Sequence, residues 1–291
     1  MTAAISTDTV SANGVEFTYL HAGEGPLALC LHGFPDSANT WRHLLPALAD
    51  AGFHAVAPFM RGYAPTTIPE DELYQSGALA ADANALHEAL GGDSGAVLVG
   101  HDWGAAAVYG AAGSAPDRWS RVVGMAVPPG GTMGAALLGN LDQLKRSWYF
   151  FFFQHGLSDM IVPANDLAFI DMIWSDWSPG FDAAVDLGHV KSCLSDPAHL
   201  AAALGYYRAT FGDGKRSEEY NAIEHAGGEE LSQPTLYLHG RDDGCIGVEV
   251  AEMGAQMCPW ATVEIVDDAG HFLQLEQPDA INARIVDHLT A

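Results

Sequence analysis

A carboxylate occupies the position at which a sharp turn between a strand and a helix would present a nucleophile. Residues 95–99 are short, apolar and flanked by glycine, which predicts a buried strand, and 105–109 are typical of a helix start. Gly100 and Gly104 lie two residues before and two after Asp102. This spacing is typical of a nucleophile elbow, because small residues let the backbone turn tightly around an exposed apex residue. A helix N-terminus favours negative charge, so we predict that Asp102 is an ionised nucleophile.

Two further loops carry groups that could complete a catalytic triad with Asp102. Asp243 and His271 each follow a predicted buried strand. An elbow nucleophile is followed along the chain by an acid and then by a histidine, which is the order found here. We therefore predict that His271 is the base and that Asp243 orients it. Asp242 is the alternative to Asp243 and is interpreted as a surface carboxylate.

Backbone amides near the predicted nucleophile could stabilise an oxyanion. Gly33 follows a predicted buried strand, and a glycine turn there lets the amide of Phe34 point into the site. Together with the amide of Trp103, it is predicted to form an oxyanion hole. The neighbouring His32 and His101 are interpreted as structural residues rather than catalysts.

Strand and helix signals alternate along much of the chain, as they must if these loops are to meet at one sheet edge. Alternation of this kind predicts an α/β fold, with a mostly parallel central sheet flanked by helices on both faces. The predicted strands are 15–20 (an edge strand), 27–31, 54–58, 95–99, 121–127, 235–239 and 262–266. The predicted helices include 41–49, 75–90, 248–257 and 280–289.

The pattern changes after the strand at 121–127. Residues 128–232 have no buried strand signal and are rich in aromatic residues, methionine and helical periodicity. We predict a core domain of residues 1–127 and 233–291, interrupted by a helical cap domain of residues 128–232. The cap would lie over the carboxyl edge of the sheet, where ligands bind in open α/β sheets.

Composition and charge exclude several classes of partner. The 291 residues are 48% hydrophobic, which is enough for a sizeable core, and 37 acidic against 12 basic residues give a net charge of −25. An acidic surface of this kind argues against nucleic acid and anionic membranes as partners. The start of the chain has no signal-peptide pattern, no apolar run approaches membrane-spanning length, and the four cysteines are scattered. We expect a cytoplasmic monomer or homodimer.

No metal or organic cofactor is expected from the sequence. The chain has no histidine and cysteine cluster with the spacing of metal ligands and no phosphate-binding loop.

Five short motifs are spread over the predicted core. They are His32-Gly33-Phe34-Pro35, Arg61-Gly62-Tyr63, Gly100-His101-Asp102-Trp103-Gly104, Gly240-Arg241-Asp242-Asp243 and Gly270-His271-Phe272. Together they resemble the α/β-hydrolase fold and, within it, the epoxide hydrolases, with haloalkane dehalogenases as near neighbours. An aspartate elbow followed by tryptophan is the most specific of these motifs.

Aspartate in place of serine indicates attack on a saturated carbon. A carboxylate is already ionised at neutral pH and needs no base, so displacement would join the substrate to Asp102 as an ester. His271, held by Asp243, would then activate the water that hydrolyses this ester, and the amides of Phe34 and Trp103 would stabilise the oxyanion. Both families share this two-step scheme and differ in the leaving group.

An epoxide leaves as an alkoxide and therefore needs a proton donor, for which a tyrosine that stays protonated at neutral pH is suitable. Residues 203–208 resemble the lid motif of epoxide hydrolases, which implies Tyr207 as the acid and Tyr206 as a packing residue. Residues 147–154 resemble the segment that carries a second lid tyrosine, which implies Tyr149 as a second donor. The alternative is that Tyr207 acts alone, because Phe152 occupies the place of a later tyrosine in that segment.

The resemblance therefore favours an epoxide hydrolase that makes vicinal diols from a small apolar epoxide. Phe34, Trp103 and Phe152 are expected to line its pocket. A haloalkane or haloacid dehalogenase that uses the same Asp102 nucleophile is the alternative, because Trp103 could hold a halide. Against it, Phe34 stands where the dehalogenase pattern favours a polar side chain.

Overall fold

A mixed sheet forms the centre of the protein in a computed structural model that describes residues 3–291. Within these residues the sheet has eight strands in the order β1-β2-β4-β3-β5-β6-β7-β8. The strands are β1 (Ser6–Ala12), β2 (Val15–Ala22), β3 (Leu27–Leu31), β4 (His54–Pro58), β5 (Val97–His101), β6 (Arg121–Met125), β7 (Thr235–Gly240) and β8 (Ala261–Val266). From β4 to β8 every neighbouring pair is parallel, whereas β2 is antiparallel to both β1 and β4. The predicted α/β fold with a mostly parallel sheet is confirmed.

Helices cover the sheet and fill the long interval between β6 and β7. The core helices are α1 (Leu44–Asp50), α2 (Ser76–Ala89), α3 (Trp103–Ser114), α12 (Val248–Met257), α13 (Leu273–Glu276) and α14 (Pro278–Thr290). Between β6 and β7 lie α4 (Thr132–Gly139), α5 (Leu141–Arg146), α6 (Trp148–Phe152), α7 (Ser158–Ile161), α8 (Ala164–Trp177), α9 (Ala184–Leu194), α10 (Pro197–Phe211) and α11 (Asn221–Ala226). In this interval α10 packs against α6 and α9, while α11 packs on α2 and α3 of the core. No helix formed by the described residues is long and apolar enough to cross a membrane.

The predicted edge strand at 15–20 is not at the edge. It belongs to β2, and β1 pairs outside it in antiparallel register, from Ser6 opposite His21 to Ala12 opposite Val15. Most of β1 is exposed and polar, so it has no apolar alternation to reveal it. The signal that identifies it is the turn at Asn13-Gly14, where both residues have positive φ, as a tight hairpin requires.

The register of the parallel strands brings their carboxyl ends to one edge of the sheet. Leu31 at the end of β3 pairs with Gly100 in β5, and His101 pairs with Met125 in β6. Every residue of β3 and of β5 is buried, so the loop after each leaves the centre of the core. Side chains in these loops therefore face one another across short distances.

Candidate active site

Asp102 sits at the apex of the turn from β5 to α3 with φ of 53° and ψ of −119°. A non-glycine residue in this region is strained, and such strain persists only where the surroundings fix it, commonly at functional sites. A Cβ atom on Gly100 would lie 2.3 Å from the carbonyl oxygen of Gly104, and one on Gly104 would lie 2.1 Å from that of Leu31. The two glycines therefore allow the close backbone approach on which the elbow depends.

Backbone amides hold the carboxylate of Asp102. The amide of Phe34 donates to Oδ1 at 2.7 Å, and the neighbouring amide of Trp103 also lowers the pKa of the carboxylate. Oδ2 lies 3.9 Å from Nε2 of His271, which is too far for a direct hydrogen bond. The two predicted oxyanion-hole donors therefore meet at the carboxylate, and its second oxygen faces the imidazole.

Asp243 and His271 are hydrogen-bonded at the same sheet edge. Nδ1 of His271 and Oδ2 of Asp243 are 2.9 Å apart, and both side chains are fully buried. Oδ1 of Asp243 accepts from the amides of Cys245 and Ile246 at 2.7 and 2.9 Å. Asp242, the alternative acid, is exposed. The structure therefore brings Asp243 rather than Asp242 onto the imidazole.

The protonation of these groups follows from burial and from each other's charge. Burial raises the pKa of Asp102 to about 6, although His271 and the amides of Phe34 and Trp103 act in the opposite direction. Burial alone would lower the pKa of His271, but the charge and hydrogen bond of Asp243, with the charge of Asp102, outweigh it and raise that pKa above its ordinary value. Asp102 is therefore mostly ionised at neutral pH, with Nε2 of His271 turned towards it.

His32 and His101, which also lie near the site, form hydrogen bonds with backbone groups. His32 accepts from the amide of Met60 through Nε2 at 3.0 Å and contacts the carbonyl of Gly33 through Nδ1 at 2.9 Å. Nε2 of His101 lies 2.8 Å from the carbonyl oxygen of His271 and supports the loop that carries the base. These positions fit the structural roles predicted for His32 and His101.

Tyr207 faces the nucleophile from α10. Its hydroxyl is buried and has no hydrogen-bond partner among residues 3–291. Its ring packs edge-on against Trp103 at 5.1 Å between centroids. Burial, with a smaller effect from the charge of Asp102, raises the pKa of Tyr207 well above its ordinary value, so it carries its proton. Its neighbour Tyr206 donates instead to the carbonyl of Arg61 at 2.7 Å, in agreement with a packing role.

Tyr149 lies beside Tyr207, with ring centroids 5.6 Å apart. It is 2% exposed, and burial, with a smaller effect of nearby Cys245, raises its pKa well above the ordinary value. Its hydroxyl is 3.2 Å from Sγ of Cys245. The two predicted acids are thus neighbours, but only Tyr149 has a polar partner within the described part of the chain.

A cavity of about 380 Å³ extends from Asp102, Tyr149 and Tyr207, a volume within the range for small-molecule sites. Its wall is largely apolar and includes Trp103. Residues in this wall that the sequence did not indicate include Met133, Leu137, Phe150, Thr210, Phe211 and Ile246.

Two of the three predicted pocket residues do not line this cavity. The ring of Phe152 lies outside it and stacks on Phe169 at 5.6 Å, because α6 turns Tyr149, Phe150 and the following Phe153 inward instead. The ring of Phe34 packs against Tyr207, with 5.2 Å between centroids, and does not line the cavity. Phe34 contributes to the site through its backbone amide. Only Trp103 lines the cavity as predicted.

One group of metal-ligand type side chains exists within residues 3–291. It consists of Asp243, Cys245 and His271, whose ligand atoms lie within 4.8 Å of one another. Asp243 and His271 are already hydrogen-bonded to each other, and Asp243 also accepts hydrogen bonds from two backbone amides. The arrangement therefore fits a hydrogen-bonded acid and base better than a metal centre.

Comparison with known proteins gives a consistent result. The model of the family described as the alpha/beta hydrolase fold matches residues 26–278. The chain is 30% identical to epoxide hydrolase A of Mycobacterium tuberculosis, with 97% of this chain and 96% of that protein covered. It is 28% identical to an epoxide hydrolase of Caballeronia sordidicola, with 98% and 94% covered. It is similar to the crystal structure of a Bacillus megaterium epoxide hydrolase, with a TM-score of 0.81, 26% identity and 98% and 100% covered.

Proposed function

The chain belongs to the α/β-hydrolase fold family as an epoxide hydrolase-like member, and we propose that it hydrolyses epoxides to vicinal diols through an ester on Asp102. One observation supports this proposal more strongly than any other. Asp102 and Tyr207 both line one cavity, and the buried hydroxyl of Tyr207 has no partner among the described residues. A nucleophile that needs no base and an acid that keeps its proton are the two groups that epoxide opening requires.

In the first step, Oδ2 of Asp102 attacks an epoxide carbon and the carbon–oxygen bond of the ring breaks. Oδ1 stays with the amide of Phe34, so Oδ2, which faces His271, is the oxygen that reacts. The departing oxygen takes a proton from the hydroxyl of Tyr207, with Tyr149 as the second donor. The product is a hydroxyalkyl ester of Asp102 and a tyrosinate that is reprotonated later.

In the second step, water attacks the carbonyl carbon of the ester while Nε2 of His271 takes its proton. The negative charge develops on Oδ1, to which the amide of Phe34 already donates, and the amide of Trp103 would be the second donor. Asp243 holds the imidazole and stabilises its charged form. Collapse of the tetrahedral intermediate releases the diol, whose leaving oxygen takes the proton of His271. Asp102 is left as a carboxylic acid, and its proton, the second one from the water, returns to the tyrosinate, so that the carboxylate and the tyrosine are both restored.

We also propose a domain division and a cellular setting for this reaction. Residues 128–232 would form the cap over a core of 1–127 and 233–291, because α4 to α11 supply Tyr149 and Tyr207. Four free buried cysteines fit a reducing compartment such as the cytoplasm. The substrate would be a small apolar epoxide, the protein a monomer or homodimer, and its net charge of −25 disfavours nucleic acid and anionic membranes.

A single turnover in heavy-oxygen water tests the covalent step. Enzyme in excess over an aryl epoxide should place the label in the side chain of Asp102, as read by mass spectrometry of the peptide that contains it. Label found only in the diol would refute nucleophilic attack by Asp102. Brominated and chlorinated alkanes are assayed in parallel, and release of halide without epoxide turnover would favour the dehalogenase alternative instead.

A further inference from the structure

Cys245 lies between two parts of the proposed site. It follows Asp243 by two residues, is 1% exposed, and donates its amide to Oδ1 of Asp243 at 2.7 Å. Its Sγ is 3.2 Å from the hydroxyl oxygen of Tyr149. A single residue therefore contacts the orienting acid through its backbone and the second lid tyrosine through its side chain.

The contact with Cys245 is the one hydrogen bond that the hydroxyl of Tyr149 makes within residues 3–291. Apolar and aromatic neighbours hold the ring, with Trp177 at 5.1 Å, Phe153 at 5.6 Å and Tyr207 at 5.6 Å between centroids. Packing of this kind fixes the plane of the ring, whereas the thiol alone fixes the direction of the hydroxyl hydrogen.

A thiol is well suited to a hydroxyl that must release its hydrogen bond. Burial raises the pKa of Cys245 well above its ordinary value, so the thiol keeps its hydrogen. Sulfur is a weak acceptor and S–H is a weak donor. The hydroxyl of Tyr149 can therefore donate to Sγ while the cavity is empty and turn its hydrogen to an epoxide oxygen at little cost. The thiol can then donate to the oxygen of Tyr149 in return.

We propose that Cys245 is a positioning residue that holds the hydroxyl of Tyr149 in place for the epoxide oxygen, so that Tyr149 assists Tyr207 as a second acid. This inference rests on the proposed function. Cys245 acts on ring opening through Tyr149, and its thiol takes no part in hydrolysis of the ester.

The test is a double-mutant cycle read on each chemical step. Ring opening is followed in single turnovers by rapid quenching and mass spectrometry of the ester on Asp102, and ester hydrolysis by the release of diol from preformed ester. The variants are Cys245→Ala, Cys245→Ser, Tyr149→Phe and the double variant Cys245→Ala/Tyr149→Phe. Cys30→Ala is the matched control, because Cys30 is equally buried in β3 and its thiol approaches only the carbonyl of Ala28.

We expect Cys245→Ala and Tyr149→Phe each to slow ring opening about tenfold, as befits one modest hydrogen bond. The double variant should be no slower than Tyr149→Phe alone, because both changes remove the same interaction. Cys245→Ser should restore most of the rate, since a hydroxyl can also donate and accept. Ester hydrolysis should stay within about twofold of wild type in every variant, and Cys30→Ala should leave both steps unchanged.

Other outcomes overturn the inference. Multiplicative losses in the double variant would mean that Cys245 acts independently of Tyr149. Equal slowing of both steps by Cys245→Ala would mean that Cys245 acts through Asp243 and His271. Ring opening unaffected by either single change would remove any role for the pair. Failure of the proposed function is distinguishable, because the wild-type protein itself would then form no diol.

Discussion

Replacing Gly33 with alanine should disrupt the amide that holds the nucleophile. An added Cβ would lie 2.3 Å from Oδ1 of Asp102, 2.5 Å from its Cβ and 2.7 Å from the amide nitrogen of Trp103. Real Cβ atoms are essentially never found this close to a backbone atom or a rigid side chain, so the loop and the elbow must separate. The hydrogen bond of 2.7 Å from Phe34 to Oδ1 joins these two elements and should be lost.

The size of the effect follows from what that amide does in each step. Loss of one oxyanion-hole donor costs about 10²–10³ in kcat, or about 2.7–4 kcal/mol. Ester hydrolysis should suffer this loss in full, because the oxyanion develops on Oδ1. Ring opening should suffer less, since Oδ2 rather than Oδ1 attacks. The amide of Phe34 lowers the pKa of Asp102. The pKa of Asp102 should therefore rise in the variant, and ring opening should begin to fall at a higher pH than in the wild type.

Single-turnover kinetics separate the two steps and provide the measurement. Gly139→Ala is the matched control, because a Cβ there meets nothing within 4 Å. Gly33→Ala should accumulate the ester on Asp102, while Gly139→Ala should behave as wild type. Ester hydrolysis at the wild-type rate in a Gly33→Ala protein that retains its melting temperature would refute the role given to the amide of Phe34.

Four further changes test other parts of the site and the fold. Tyr207→Phe should slow ring opening by about 10²–10⁴, the usual contribution of a general acid, with little change in hydrolysis of preformed ester in stopped flow. His271→Gln should consume one equivalent of epoxide without making diol, and mass spectrometry should find the adduct on Asp102; steady diol production would contradict the assignment of the base. Ring opening should fall as pH drops through about 6, because a protonated Asp102 is not a nucleophile, and a pH-independent rate down to pH 4 would count against this. Ring opening should not slow between neutral pH and the ordinary pKa of a tyrosine, because burial raises the pKa of Tyr207 and the acid keeps its proton there. Asp82→Asn should reduce the free energy of unfolding by about 3–5 kcal/mol in urea titration, because the buried guanidinium of Arg61 loses a two-point ion pair at 2.7 Å.

The parts of the fold that sequence predicts well are those with strong local signals. The buried strands β3, β4, β5 and β7 are continuous apolar runs, and each was predicted to within about two residues at either end. Asp243 and His271 could be paired from their positions after strands, since parallel strands deliver their carboxyl ends to one edge. Topology therefore converts a separation of 28 residues into a hydrogen bond of 2.9 Å between His271 and Asp243, and it brings Asp102 to within 3.9 Å of the same imidazole.

The parts that sequence predicts poorly depend on side-chain direction in three dimensions. The run of six aromatic residues at 148–153 gives no contrast in hydrophobicity, so its inward face is decided by packing against α10. Phe153 is fully buried beside Tyr207, whereas Phe152 turns away to stack on Phe169. The thiol of Cys245 reaches Tyr149 across 96 residues of sequence, a pairing that no local pattern encodes.

Formation of the ester itself prepares the groups that act next. The negative charge of Asp102 raises the pKa of Tyr207 and also raises that of His271. As Oδ2 bonds to carbon, this charge leaves the carboxylate and passes to the epoxide oxygen. In the proposed mechanism, the basic oxygen that develops beside Tyr207 then takes the proton of that tyrosine, and the charge comes to rest on the tyrosinate. Asp102, now an ester, no longer raises the pKa of His271, which favours the neutral imidazole that must take a proton from water. Moving one buried charge from Asp102 to the lid tyrosine would therefore convert a site suited to nucleophilic attack into one suited to hydrolysis.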